Sequence, residues 1–415
     1  MRLCFLALCC AAGLLAADQQ QLALESLART DYERVALAPT PALADTARCV
    51  QSQAALLAVA PAAELPLVHY HKGYCALVEA DFQAAATEFD KAAAAWRAVS
   101  AANKTPAEPV PAVLPVLAAV ARLKAGGGEP AMESAGQDLE SALGQPACVS
   151  SLTTVEACQA DLATGHEWLG WLDLRQGNLV AAAREFGQTS DTAWQQWIAA
   201  RQAFDDRRYA EAAAGGRRAV EEWEGQRNQP APSFNDRLRP QPDLGRIFTE
   251  WGASELLAGD RAAAISTLTR AVKVAPTEAR AYFLRARAEE LSGQRDAALS
   301  DYNLASRTAF AEATDLASGE AHLYRGILFY RRQEFERAES EFSSALNFNI
   351  PARLRADAQA WRYLSAVASG SCEASRDALA RALGIVSPFF PGQEARDAMA
   401  ACPATTAAAV PNLAR

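Results

Sequence analysis

One spacing recurs along this chain and limits what it can fold into. A small residue is followed nine positions later by a residue at a turn, then three later by Ala, four later by a large apolar residue and three later by Ala. The first copy is Gly73, Phe82, Ala85, Phe89 and Ala92, and the second is Gly170, Leu179, Ala182, Phe186 and Thr189. Ala200, Tyr209, Ala212, Gly216 and Ala219 form the third, and Gly252, Arg261, Ala264, Leu268 and Ala271 the fourth. Ala286, Arg295, Ala298, Tyr302 and Ala305 follow, and Gly326, Phe335, Ala338, Phe342 and Ala345 close the series.

Residues three and four apart share a face only on an α-helix, so each copy describes a helical hairpin. The small residue on the first helix admits the large apolar side chain of the second. Turn formers such as Gly177-Asn178 and Gly259-Asp260 stop the first helix, and Pro276 follows where the second helix of the fourth copy ends. Half of the residues are apolar, with alanine dominant and aromatics only 8%, which favours closely packed helices over sheets. The expected fold class is all-α. Two departures predict looser hairpins: Thr189 stands for the small residue in the second copy, and Gly216 for the large one in the third.

These residues resemble the tetratricopeptide repeat, a helical hairpin of 34 residues with this order of small, aromatic and alanine positions. Gly252 to Ala286 is a step of 34, while Gly170 to Ala200 is 30 and Ala286 to Gly326 is 40. The resemblance implies a superhelical solenoid of stacked antiparallel hairpins, whose first helices line a concave groove that binds another protein or an extended peptide. Carried onto this chain, the positions three before and one after each small residue face inward: Tyr70, Tyr74, Trp171, Trp197, Arg201, Phe283, Arg287 and Ile327. One turn further along the same face stand Phe204 and Tyr330. Aromatics and arginines are the types that dominate protein interfaces, although such residues also pack between adjacent repeats. The asparagines of the family's chaperone-tail clamp are missing from those places.

The expected organisation is a signal peptide at 1–17, an N-terminal helical cap at 18–63 interrupted at Pro39 and Pro41, and a first hairpin at 64–100. An irregular or degenerate helical segment follows at 101–160, with residues 112–143 a possible degenerate hairpin. Hairpins at 161–225, a proline-rich insert at 226–242, hairpins at 243–350, a capping hairpin at 351–402 and a disordered tail at 403–415 complete it.

Met1-Arg2 followed by an apolar stretch from Leu3 to Ala17 reads as a secretory signal with cleavage near Ala17. Neither Cys9 nor Cys10 follows a small residue, which argues against a lipid anchor. No later stretch is apolar enough for a transmembrane helix. Six cysteines remain after processing. Their clustering makes Cys49 with Cys75, Cys148 with Cys158 and Cys372 with Cys402 the simplest disulfides in an oxidising compartment, buried free thiols being the alternative. Localisation is therefore periplasmic or secreted. The net charge of −9, with arginine dispersed among acids, excludes a basic nucleic-acid footprint. Arginine over lysine, with abundant alanine, points to a GC-rich bacterial genome.

Catalytic signatures do not emerge. His69 and His71 lie two apart and so diverge on a helix, His166 and His322 precede small residues by four, and no phosphate loop, nucleophile elbow or zinc spacing occurs. The cluster of Glu221, Glu222 and Glu224 reads as a solvated helix face. No cofactor, no metal and no catalysis are expected. The function implied is a protein-binding scaffold of the cell envelope; the alternatives are an envelope polysaccharide module and an enzyme with its site in 101–160.

Overall fold

The computed structural model describes residues 21–36, 42–103, 109–144, 148, 152–227, 238–311, 315–387 and 390–402. The expected signal peptide, Cys9, Cys10, the tail and most of the 226–242 insert lie outside the described residues. Those described form helices and no strand. In chain order the helices are α1 (21–36), α2 (Leu43–Leu57), α3 (Leu65–Val78), α4 (Phe82–Asn103), α5 (Val113–Ala125) and α6 (Gly128–Leu143). Then come α7 (Val155–Arg175), α8 (Leu179–Phe186), α9 (Thr192–Asp205), α10 (Tyr209–Arg227), α11 (Leu244–Ala258), α12 (Arg261–Val274) and α13 (Ala279–Leu291). The last six are α14 (Arg295–Ala311), α15 (Asp315–Arg331), α16 (Phe335–Leu346), α17 (Ala352–Ala368), α18 (Cys372–Ala382) and α19 (Gly392–Ala401). They form two compact units, residues 1–202 with 218–241, and residues 203–217 with 242–415. Within each unit, helices consecutive in sequence pack against one another, as α3 on α4, α5 on α6, α11 on α12 and α15 on α16.

Hairpins end their first helix in the same way because the backbone there must reverse in two residues. Seven positions after each small residue the chain takes a left-handed conformation: Ala80, Gly177, Arg207, Gly259, Gly293 and Gln333. The following N–H reaches back five residues, Asp81 to Ala76, Asn178 to Asp173, Arg208 to Ala203, Asp260 to Glu255, Gln294 to Glu289 and Glu334 to Phe329. This closes the orphan carbonyls of the helix end. Asp81, Asn178 and Asp260 then cap the next helix, their side chains accepting from the N–H of Ala84, Ala181 and Ala263. Gly370, with Ser371 N–H donating to Ala366 O, repeats the turn between α17 and α18. It marks a seventh hairpin in which Tyr363 stands at the small position and Leu379 at the large one.

The small positions are small because a large apolar side chain lies against them. A Cβ added to Gly73 would meet Phe89 at 2.9 Å, one on Gly170 would meet Phe186 at 2.7 Å, and one on Gly326 would meet Phe342 at 2.6 Å. On Gly252 it would meet Leu268 at 2.5 Å. Gly216 is not a void: a Cβ there would lie 3.1 Å from that of Trp251, so α11 supplies the bulk that α10 lacks. Thr189 lies beyond the end of the short α8 and donates its hydroxyl to Phe186 O.

A second tie crosses three of the hairpins at one register. His69 Nδ1 meets Glu88 Oε2 at 2.7 Å, His166 meets Glu185 at 2.8 Å and His322 meets Glu341 at 2.8 Å, each histidine four residues before its glycine. In the fifth hairpin Tyr282 stands at the histidine position, and Arg285, three residues on, meets Asp301 at the glutamate position. Burial alone would raise the Glu88 carboxyl, but Lys91, His69 and Lys72 outweigh it and hold it below the usual range. His322 and Arg325 do the same for Glu341.

The segment at 101–160 contributes the hairpin α5 and α6, turning through Gly126 and Gly127, and α7 packs on both. Past the sixth copy there are three helices, α17 to α19, rather than a pair. Cysteine couples lie at bonding distance with Cα atoms 5.9 Å apart for Cys49 and Cys75, 5.8 Å for Cys148 and Cys158, and 5.7 Å for Cys372 and Cys402.

Candidate functional site

In the C-terminal unit the first helices of the last three hairpins border a cleft of about 540 Å³. From α13 come Arg287 and Glu290, from α15 Leu323, Tyr324, Ile327 and Arg331, and from α17 Arg353, Leu354, Asp357 and Trp361, with Ser387 and Phe390 closing one side. Arg287, Leu323 and Ile327 hold the positions one after or three before a small residue. The helical period alone aims them at the same space.

Glu290 organises one wall. It accepts from Arg287 at 2.5 Å, from the Tyr302 hydroxyl at 2.8 Å and from Arg331 at 3.0 Å. The Arg287 guanidinium also lies over the Tyr324 ring, 4.1 Å from its centroid. Burial raises the Tyr324 and Tyr302 hydroxyls, so both stay neutral. On the opposite wall the Asp357 carboxylate accepts the Ser387 N–H at 2.8 Å, and Arg353 is exposed. Leu323, Ile327 and Trp361 make an apolar floor. The cleft thus offers guanidinium donors above an apolar base, a combination suited to holding a peptide segment.

Seven hairpins share one turn, four of them show the close contact of a glycine with a large apolar side chain, and the first helices of the last three border the cleft. The fold is tetratricopeptide-like. No family model and no curated protein matches the chain. Tetratricopeptide chains among the solved structures are similar to it at low identity. YrrB, described as a TPR protein with an unusual peptide-binding site, is 17% identical, over 47% of this chain and 90% of that one, with a TM-score of 0.34. A tetratricopeptide repeat protein from Parabacteroides merdae is 15% identical over 73% and 99%, with a TM-score of 0.36. Yeast Tom70 is 11% identical over 93% and 96%, with a TM-score of 0.37.

The ten residues expected in a tetratricopeptide groove are not equally available. Arg287 and Ile327 line the cleft. Phe283 is buried among Tyr302 and Tyr324, and Tyr330 packs edge-on to Trp361 while its hydroxyl donates to Glu394 of α19. Tyr70, 1% exposed, and Tyr74 are core residues, because Tyr32 of α1 sits edge-on to Tyr74 and stacks on His71 at 3.8 Å. Trp197 is buried and Arg201 half-buried; Phe204 packs edge-on to Tyr209. Trp171 is half-buried, edge-on to Trp168 and covered by the Arg175 guanidinium. For Tyr70, Tyr74, Trp197, Phe283 and Tyr330 the inward direction is also the direction of the neighbouring helix, and burial won.

The sequence reading missed Glu290, Tyr324, Arg331 and the whole wall from α17. Glu290 and Arg331 were within reach, one turn beyond Arg287 and Ile327. Arg353 to Trp361 were not, since Tyr363 at the small position hid the seventh copy. Among the described residues no group of three or more histidine, cysteine or carboxylate side chains is placed to hold a metal ion, and no helix is long and apolar enough to cross a membrane.

Proposed function

We propose that this chain is a non-enzymatic scaffold of the bacterial cell envelope that holds a segment of another protein in the cleft of its C-terminal unit. The observation that carries the reading is the cleft itself: an apolar floor of Leu323, Ile327 and Trp361 beneath Arg287, Arg331 and Arg353. Arg287 is fixed in advance by Glu290 and Tyr324, so little side-chain freedom is lost when a ligand accepts from it. Support for the envelope comes from the signal-like residues 1–17 and from three cysteine couples at bonding distance.

The test is a photo-crosslinking residue at Leu354 in the processed protein, exposed to envelope extract and to a purified glycan fraction as control. A protein adduct should form, and Arg331→Glu with Arg353→Glu should lower affinity for that partner at least tenfold with an unchanged helical spectrum, because both side chains are exposed. Undiminished partner binding in that double variant rejects the cleft as the site. A glycan adduct alone rejects the protein partner.

A further inference from the structure

In the N-terminal unit positions equivalent to the cleft are covered, and the cover is a short stretch around Leu238 and Arg239, helical at the first and bent at the second. On α7, Glu167, Trp168 and Trp171 stand three before, two before and one after Gly170, as Leu323, Tyr324 and Ile327 stand to Gly326. Where the latter trio opens on the cleft, Glu167 and Trp168 of the former meet Arg239 and Leu238. The Trp168 indole N–H donates to the Leu238 carbonyl at 2.8 Å across 70 residues of sequence. Leu238 is 1% exposed and joins the apolar cluster around Leu162, Trp168 and Leu169. Arg239 directs its guanidinium between two carboxylates, Glu167 at 3.4 Å and Asp191 at 3.8 Å.

The chemistry on the α7 side is specific. Glu167 is 0% exposed, and burying a carboxylate is very costly unless a cation comes with it. Asp191 is also buried while two of its backbone neighbours, the N–H groups of Ala193 and Trp194, already hold its other oxygen. An indole donor that takes a backbone carbonyl, an apolar hollow for one side chain and a carboxylate pair for the next describe a receptor for a short peptide segment. The Leu238 carbonyl and the Arg239 guanidinium come from a segment outside every hairpin.

We propose that this face of α7 is a second peptide-binding site, occupied in the resting chain by its own Leu238 and Arg239, and that it takes from a partner protein a short segment with an apolar residue followed by arginine. The chain's own segment is an intramolecular competitor: it is present at high effective concentration, so a partner must match or exceed its contacts to displace it. This site lies in the other unit from the cleft and stands whether or not the cleft binds anything.

The experiment uses the full processed protein and a fluorescein-labelled peptide with the sequence of residues 236–243, read by fluorescence anisotropy. Leu238→Ala with Arg239→Ala should bind the peptide at least tenfold more tightly than wild type. Adding Glu167→Gln should remove that gain, and a peptide with alanine for its second arginine should not bind. In wild type, saturating peptide should speed amide hydrogen exchange in residues 238–241, a readout that needs no variant to fold. The proposal is overturned if the folded double variant binds no better than wild type, if the arginine-less peptide binds equally well, or if exchange in wild type is unchanged. It is also overturned if the double variant dimerises in light scattering without taking up peptide, since the face would then serve a second copy.

Discussion

Replacing Gly326 by alanine sets two effects of opposite sign against each other, and the structure decides between them. Alanine is the better helix former by about 1 kcal/mol, so the exchange should stabilise α15 if nothing else changed. The new methyl, however, would lie 2.6 Å from Cε1 of Phe342 and 2.9 Å from two further ring atoms. Carbon atoms prefer about 3.5–4.0 Å, so the helices must part by about 1 Å. Phe342 cannot swing aside, being fully buried and stacked against Trp361. Overpacking of this kind costs about 1–3 kcal/mol. With a rigid ring as the obstacle we take the upper end, about 3 kcal/mol, for a net destabilisation of about 2 kcal/mol. Gly225 of α10 is the control, since a Cβ there meets nothing within 4 Å; Gly225→Ala should stabilise by about 0.5–1 kcal/mol. Urea denaturation followed by far-ultraviolet circular dichroism measures both, fitted as coupled hairpins rather than as a two-state domain. In a Phe342→Ala background the obstacle is gone, and Gly326→Ala should turn stabilising. If Gly326→Ala stabilises the otherwise unchanged protein as Gly225→Ala does, the close contact does not set the hairpin geometry.

The left-handed turn residues should respond in the opposite sense to their identity: Gln333→Gly, at φ +61, should be neutral or stabilising by up to about 1 kcal/mol, and Gly259→Ala, at φ +93, destabilising by about 1 kcal/mol in the same denaturation assay. Burial raises the Asp161 carboxyl from 3.8 to about 7, so the folded state holds a proton that the unfolded chain releases. Stability from this group is therefore fully present below 3.8 and lost as pH rises through about 7, and Asp161→Asn should flatten that part of the stability profile measured by thermal melts across pH. Non-reducing peptide mapping of the protein purified without reductant should recover the three local couples, and serine at both Cys372 and Cys402, 30 residues apart, should cost about 3–4 kcal/mol in the loop-entropy account.

Most of the hairpins were legible because they repeat a contact that only small and large residues at fixed spacing can make. Gly73 with Phe89 and Gly326 with Phe342 are that contact. The seventh hairpin was not, since Tyr363 breaks the pattern and only the turn at Gly370 keeps it. The pairs of His69 with Glu88, His166 with Glu185 and His322 with Glu341 were hidden by distance along the chain: a separation of 19 joins two helices, and single-helix periodicity is blind to it. Groove residues were harder still. Position relative to the small residue gives a direction, but whether that direction ends in solvent, as for Arg353, or in a neighbour, as for Tyr70 beneath Tyr32, depends on elements far away in sequence. Leu238 shows the same limit, a buried anchor inside a stretch whose prolines read only as an interruption.

An array in which each hairpin leans on the next is weakest at its ends, where a terminal pair has one neighbour and frays first. Two of the three cysteine couples stand near those ends, Cys49 and Cys75 across α2 and α3, and Cys372 and Cys402 across α18 and α19. Bridged, α2 with α3 and α18 with α19 lose much of the freedom that fraying would gain, and slow amide exchange shifts toward these helices. Reduction restores that freedom. The same chain would then unravel from its tips inward, which makes the redox state of its surroundings a determinant of where it first becomes accessible to proteases.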